Sequence, residues 1–259
     1  MTNKKIKYVS KFYNSFGWNK KKNETLDATL FEDLRSCAQK YVSKCRKRLI
    51  KHIPKRGDHI LDFASGPIQY PEYLKYSKGF KLRHCVDFSK QAIKDAKIKI
   101  GKKGRYYCDD FFNIKFKKNY FDCILSLHTI YHIDKKLQAK AVKKLIAISK
   151  KNTPIIIVYS NPDTIINRIK KKIILRTIKK NKINLYFFCH KIDWWYQFEK
   201  IAYVQFKPWR SFSSNHQKII FPDNYVGKAL LDILYFFEEK FENFFLNNFQ
   251  YYTIILKKK

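Results

Sequence analysis

No uninterrupted apolar run in this 259-residue chain approaches the roughly 20 residues of a membrane-spanning helix, so a helical integral membrane protein is excluded. The opening residues, Met1-Thr2-Asn3-Lys4-Lys5-Ile6-Lys7-Tyr8, lack the continuous apolar segment of a secretory signal, and a soluble, cytoplasmic protein is expected. Six cysteines (37, 45, 85, 108, 123 and 189) include no Cys-x-x-Cys and none of the close, regular spacing of a disulfide framework. Reduced thiols are expected, with Cys85, Cys108 and Cys123 buried inside apolar stretches. No His/Cys/carboxylate cluster has metal-ligand spacing, so no metal is expected. Internal repeats and Gly/Ser linkers are also missing. Acidic residues are few, 21 against 55 basic ones, giving a formal charge of +34. Arginine is scarce as well: nine, against 46 lysines. Specific phosphate and base recognition favours the forked guanidinium, so the lysine excess is read as a solvated coat, with a polyanion-binding surface as the alternative.

Hydrophobic residues make up 45% of the chain and aromatics 17%, ample for a sizeable core, which excludes wholesale disorder. From Leu26 to Ile53, apolar residues recur every three or four positions, the period of one helix, which Pro54 ends. Strands and helices then alternate. Apolar strands are predicted at 59–64, 82–87, 105–108, 120–127 and 154–159, and helices at 68–76, 90–100 and 136–149. Strands apolar throughout and separated by helices imply a parallel sheet covered on both faces. Beyond Asn161 come a basic helix (164–180), an aromatic segment (185–198), a strand (202–206), a Phe-rich helix (226–245) and a closing strand (251–256). The predicted fold is therefore α/β: a doubly wound, mostly parallel seven-stranded sheet with an N-terminal helical extension and an aromatic-rich lid insertion. One domain overall is expected, with an extension and lid at 1–54, a Rossmann-like core at 55–163, and insertion plus last strands at 164–259.

In such sheets ligands sit at the carboxyl ends of the strands. Four segments fall there: Asp62-Phe63-Ala64-Ser65-Gly66-Pro67, a small-residue turn; Asp87, 21 residues beyond Gly66; Asp109-Asp110; and Ser126-Leu127-His128-Thr129-Ile130-Tyr131-His132. The first has one Gly rather than a Gly-x-Gly, which counts against a dinucleotide. Together, Asp62-x-x-x-Gly66, Asp87-Phe88-Ser89, Asp110-x-x-x-Ile114-x-Phe116 and Phe121-Asp122-Cys123-Ile124-Leu125-Ser126 resemble the class I S-adenosylmethionine-dependent methyltransferases, in particular the small-molecule branch that includes the ubiquinone-biosynthesis-type C-methyltransferases. The resemblance covers roughly residues 55 to 160. It implies S-adenosylmethionine as cofactor. Ala64, Ser65 and Gly66 would flank its methionine part, with Asp62 orienting the loop or reaching the amino group. Asp87 would hold the ribose hydroxyls beside Phe88, Asp110 and the Phe111 amide the adenine, and the Leu127 carbonyl the ammonium. Pro67 departs from the family's usual second Gly and puts the loop geometry in question. Simpler roles stand beside these: Asp87 as a helix cap, Asp109 as a solvated neighbour and Asp122 as a strand-end charge.

Methyl transfer from a sulfonium is an in-line displacement, so alignment and exclusion of water dominate, and a base is needed only where the nucleophile must lose a proton. His128 and His132 are the candidate bases. The lid should come from outside the sheet. Tyr13 and Trp18 in the N-terminal segment, with His190, Trp195, Arg210 and His216 in the insertion, are the substrate-binding candidates, and Arg210 suits an anionic group on the acceptor. The alternatives for the aromatics are that they form the lid's own core or that they surround an amine. A small-molecule methyltransferase, monomeric or homodimeric, is expected. The rivals are an RNA methyltransferase, disfavoured because Ser126-Leu127-His128-Thr129 lacks the Asn/Asp-Pro-Pro-aromatic motif used on flipped bases, and a non-catalytic S-adenosylmethionine-binding partner protein.

Overall fold

In the computed structural model, residues 4–21, 24–173 and 185–259 are described. Seven strands form one sheet: β1 (Gly57–Phe63), β2 (Phe80–Asp87), β3 (Gly104–Cys108), β4 (Cys123–Leu127), β5 (Pro154–Ser160), β6 (Ala202–Arg210) and β7 (Tyr251–Lys258), in the spatial order β3-β2-β1-β4-β5-β7-β6. The first five pair in parallel, whereas β7 runs antiparallel to both its neighbours. Alternate side chains of the central strands divide between two cores. Leu61, Ile124, Ile155 and Ile157 face one, and Ile60, Cys123, Leu125, Ile156 and Val158 the other. Every residue of β5 is buried, which is why its sequence shows no polar alternation.

Ten helices are described: α1 (Lys4–Phe12), α2 (Leu26–Phe31), α3 (Ser36–Arg48), α4 (Pro71–Lys75), α5 (Lys90–Ile100), α6 (Lys135–Ile148), α7 (Ile165–Ile173), α8 (Ser214–Ile220), α9 (Tyr225–Lys240) and α10 (Glu242–Asn248). A short ribbon pairs Lys20–Lys21 with Glu24–Thr25 ahead of α2. The predicted extension of α7 to residue 180 lies outside the described residues. Among the described residues, no helix is long and apolar enough to cross a membrane.

Four expectations are corrected. The single helix over 26–53 is two: Glu32 is extended (φ −112°, ψ 152°), and buried Asp33 accepts from the Arg35 backbone N–H and guanidinium, so charge pairing breaks a segment whose apolar period is continuous. The helix over 68–76 shrinks to α4 because Ile68 is left-handed (φ 51°) and Pro71 suits only a first turn. The helix over 226–245 breaks at Phe241 (φ −115°, ψ 48°), whose ring stacks back on Phe237. Cys108 is exposed at the end of β3, while Cys37, Cys45, Cys85 and Cys123 are buried and all six thiols are free.

Candidate active site

The carboxyl ends of β1, β2 and β4 and the loop after β3 open into a cavity of about 410 Å³, roofed by the N-terminal segment and walled on one side by Arg210 and Tyr251. After β1 the chain reverses tightly through left-handed residues Ala64 (φ 55°) and Gly66 (φ 56°). The Ser65 N–H donates to the Val86 carbonyl (3.1 Å) and the Gly66 N–H to the Asp87 carboxylate (3.0 Å), tying the β1 turn to the end of β2. Glycine is favoured at 66 on two counts, since a Cβ there would be strained by φ and would press the Trp18 ring at 3.1 Å.

Asp87 is buried, and its other carboxylate oxygen accepts the Ser89 N–H (2.8 Å). Burial pushes its carboxyl up to about 6 against the pull of those backbone donors. The cap of α5 is Ser89, which accepts from Ala92, so Asp87 is not the capping residue. Phe88 lies beside it in the cavity wall. Asp62 also reaches the cavity, but its carboxylate is held by Arg83, itself fully buried on β2. After β3, Asp110 accepts from the Phe112 N–H (2.9 Å) and donates its own N–H to Asp109 (2.6 Å), and the Phe111 ring stacks on Phe63 at 4.2 Å.

The β4 loop carries both histidines. Leu127 lines the cavity, and its carbonyl accepts the Thr129 hydroxyl (3.0 Å). His128 is left-handed (φ 58°), and its Nδ1 lies 2.9 Å from the Tyr131 hydroxyl. Its Nε2 is buried without a partner among the described residues. Burial and the nearby Arg210 guanidinium hold its pKa well below the ordinary value, so the ring is neutral. His132 Nδ1 donates to the Tyr186 carbonyl (2.8 Å), and burial lowers its pKa to about 4.

Overhead, Tyr13 stacks on Trp18 (4.9 Å, 27°), and its hydroxyl donates to Asp27. Burial, with Glu32 nearby, raises Asp27 to about 7. Arg210, only 2% exposed, pairs with Glu32 (2.9 Å), which also meets Arg46 (3.4 Å), and the Arg46 guanidinium covers the Tyr70 ring at 3.3 Å.

The structure thus brings the nine cofactor candidates, both histidines, Tyr13, Trp18 and Arg210 around one cavity. It leaves out three substrate candidates. Trp195 is fully buried against Tyr159 (5.0 Å), His190 stacks flat on Trp194 (4.2 Å, 2°), and His216 sits in α8, so none lines the cavity. The aromatic segment at 185–198 therefore mainly covers the sheet, and only Leu185 and Phe187 reach the cavity. Sequence reasoning missed Asp27, Glu32, Tyr70 and Tyr131. A single helix over 26–53 hides the first two, because only the break at Glu32 turns them inward.

Residues 61–157 match the family described as a methyltransferase domain. No curated protein sequence matches the chain. Solved structures with the same fold include an S-adenosylmethionine-dependent methyltransferase from Archaeoglobus fulgidus (20% identity, 85% of this chain and 94% of that one, TM-score 0.56). Others are magnesium protoporphyrin IX methyltransferase from Synechocystis PCC 6803 with bound S-adenosylmethionine (10%, 100% and 99%, TM-score 0.58) and an S-adenosylmethionine-dependent methyltransferase from Leishmania major (11%, 98% and 83%, TM-score 0.58). At these identities the likeness establishes the fold.

Proposed function

We propose that this chain, whose residues 61–157 match the methyltransferase-domain family, moves a methyl group from S-adenosylmethionine to a small-molecule acceptor enclosed beneath its N-terminal segment. The observation that carries the reading is one cavity joining the Gly66–Asp87 corner, the Asp110 loop and the unpaired nitrogen of His128.

The residues present fit that cofactor. Asp87 keeps acceptor lone pairs beyond its two backbone bonds, enough for ribose hydroxyls. The left-handed turn at 64–66 lets a ligand approach the backbone closely, and the Trp18 indole N–H is buried without a partner among the described residues. Asp110 and the Phe111 amide serve the adenine. The Leu127 carbonyl serves the ammonium, and Asp62, fixed by Arg83, orients the β1 turn. When bound, the cofactor supplies an electrophilic methyl on a sulfonium. The chain's part is to align the acceptor and exclude water, for which the stacked Tyr13–Trp18 pair is placed.

In the tautomer whose Nδ1–H donates to the Tyr131 oxygen, the buried, unpartnered His128 Nε2 carries a lone pair. A weakly basic imidazole suits a proton released once methylation has made the accepting atom acidic, rather than one removed beforehand. His132, anchored by Tyr186, positions the loop. Arg210 meets the acceptor as half of an ion pair with Glu32, so the acceptor need not be an anion.

Two measurements test the reading. S-adenosylmethionine and its demethylated product should raise the melting temperature, and labelled S-adenosylmethionine with a metabolite extract should yield a labelled small molecule. No thermal response refutes the cofactor, and label appearing only in RNA refutes the acceptor class.

A further inference from the structure

Helix α9 is apolar on two faces. Leu231 and Leu234 pack inward with α3 in one core. Leu230, Ile233, Phe236 and Phe237, continued by Phe241 and Phe244 into α10, point outward and are 42–56% exposed. Their rings form a connected surface, Phe236 touching Phe237 (5.8 Å) and Phe237 stacking on Phe241 (5.8 Å). A half-exposed Phe presents on the order of 100 Å², so six such side chains reach the roughly 300–600 Å² of the largest apolar patch on an ordinary monomer.

The charges around this face are one-sided. Asp232 is held by Lys40 and Lys44, Glu238 by Arg48, Glu239 by Arg48 and Lys51, and Glu242 by Lys207. Lys218, Lys228 and Lys240 are exposed and make no ion pair among the described residues, and Lys240 reaches over the Phe236 ring at 5.9 Å. The acidic groups of the segment are thus neutralised internally, and the unpaired charge against the apolar stripe, Lys240, is positive, on a chain of +34. Two copies of so cationic a chain repel each other across a shared face. An anionic bilayer complements both features, accepting the Phe side chains at its headgroup boundary while its phosphates meet the lysines.

We propose that the outward face of α9 and α10 seats this protein on an anionic phospholipid surface, peripherally and without a membrane span. The full chain should co-sediment with vesicles of phosphatidylglycerol and phosphatidylcholine, at least tenfold less with phosphatidylcholine alone, and less in 0.5 M salt. The double substitution Ile233→Lys/Phe237→Lys removes apolar surface while adding charge, so it separates insertion from adsorption by the lysine coat. A tenfold loss of vesicle binding in that variant, with an unchanged melting temperature, supports the proposal, and Leu230→Lys provides a second test if the double variant melts early. Binding that stays equal or rises assigns the effect to the coat and overturns it. Wild-type protein that ignores vesicles, or sediments as a dimer that these substitutions dissolve, overturns it as well.

Discussion

The two sides of the cavity are built differently. On the β1–β3 side, the short turns that end three neighbouring strands make the surface, bonded within themselves or to the next strand end. Gly66 bonds Asp87, Ser89 bonds Asp87, and Asp110 bonds Phe112. On the opposite side, side chains far apart in sequence hold each other. Glu32 meets Arg210 across 178 positions, and Arg48 donates to the backbone carbonyl of Trp209, the residue before Arg210, across 161. Local turns make a surface that persists when distant parts of the chain vary. Buried ion pairs make one that fails together, because removing either partner strands a desolvated charge.

The largest test of that contrast is Glu32→Ala, which leaves Arg210 buried without its carboxylate and Arg46 with less. Stability should fall by about 3–5 kcal/mol in urea unfolding. A loss below about 1 kcal/mol would show that the Arg210 side of the cavity does not depend on the pair. Next is His128→Asn, which keeps a polar side chain without the imidazole. It should lower kcat about 100-fold while S-adenosylmethionine affinity, followed by calorimetry, stays unchanged. Weakened cofactor binding would place His128 on the other side of the divide. Asp87→Ala should do the reverse, weakening S-adenosylmethionine about 30-fold by removing ribose contacts and freeing the Gly66 N–H, with less effect on folding.

The smallest effect is expected at Asp27. Its folded pKa, about 7, lies above its unfolded value, so the folded state binds the proton more tightly and the ionised form above pH 7 is destabilising. Asp27→Asn should therefore match wild type near pH 4 and exceed it by roughly 1–2 kcal/mol at pH 8, allowing for the partial exposure of Asp27 to the cavity. An advantage that is constant across pH would refute the assignment.

The same contrast explains what was legible in the sequence. β2, β4, β5 and the second half of β1 show as apolar runs because both faces are buried, whereas β3, at the sheet edge, is partly exposed; residues 62–66, 87, 110 and 127 stand at or just beyond the strand ends. α5 was legible to the residue, since Ser89 caps it and Gly101 follows it. The breaks at Glu32 and Phe241 leave the helical period intact, so periodicity cannot show them; at the first, Asp33 turns to Arg35 and Glu32 meets Arg210 and Arg46, which only the folded chain brings near. Arg210 stood out as a rare arginine among aromatics, yet its partner could not be read. Trp195 and His190 share the composition of a binding lid, but Tyr159 and Trp194 absorb them into packing.

The position of β7 bears on how the chain is made. Although last of the seven strands in sequence, it lies between β5 and β6, pairing with each over its length. During synthesis from the N-terminus, β6 has no neighbour until residues 251–258 leave the ribosome. The edge of β5 waits open for the same interval. Arg210 and Tyr251, adjacent across that final pairing, therefore take their places in the cavity wall only at its end. A chain stopped within α9 has the strands of the Gly66–Asp87 corner but lacks the one that carries Tyr251.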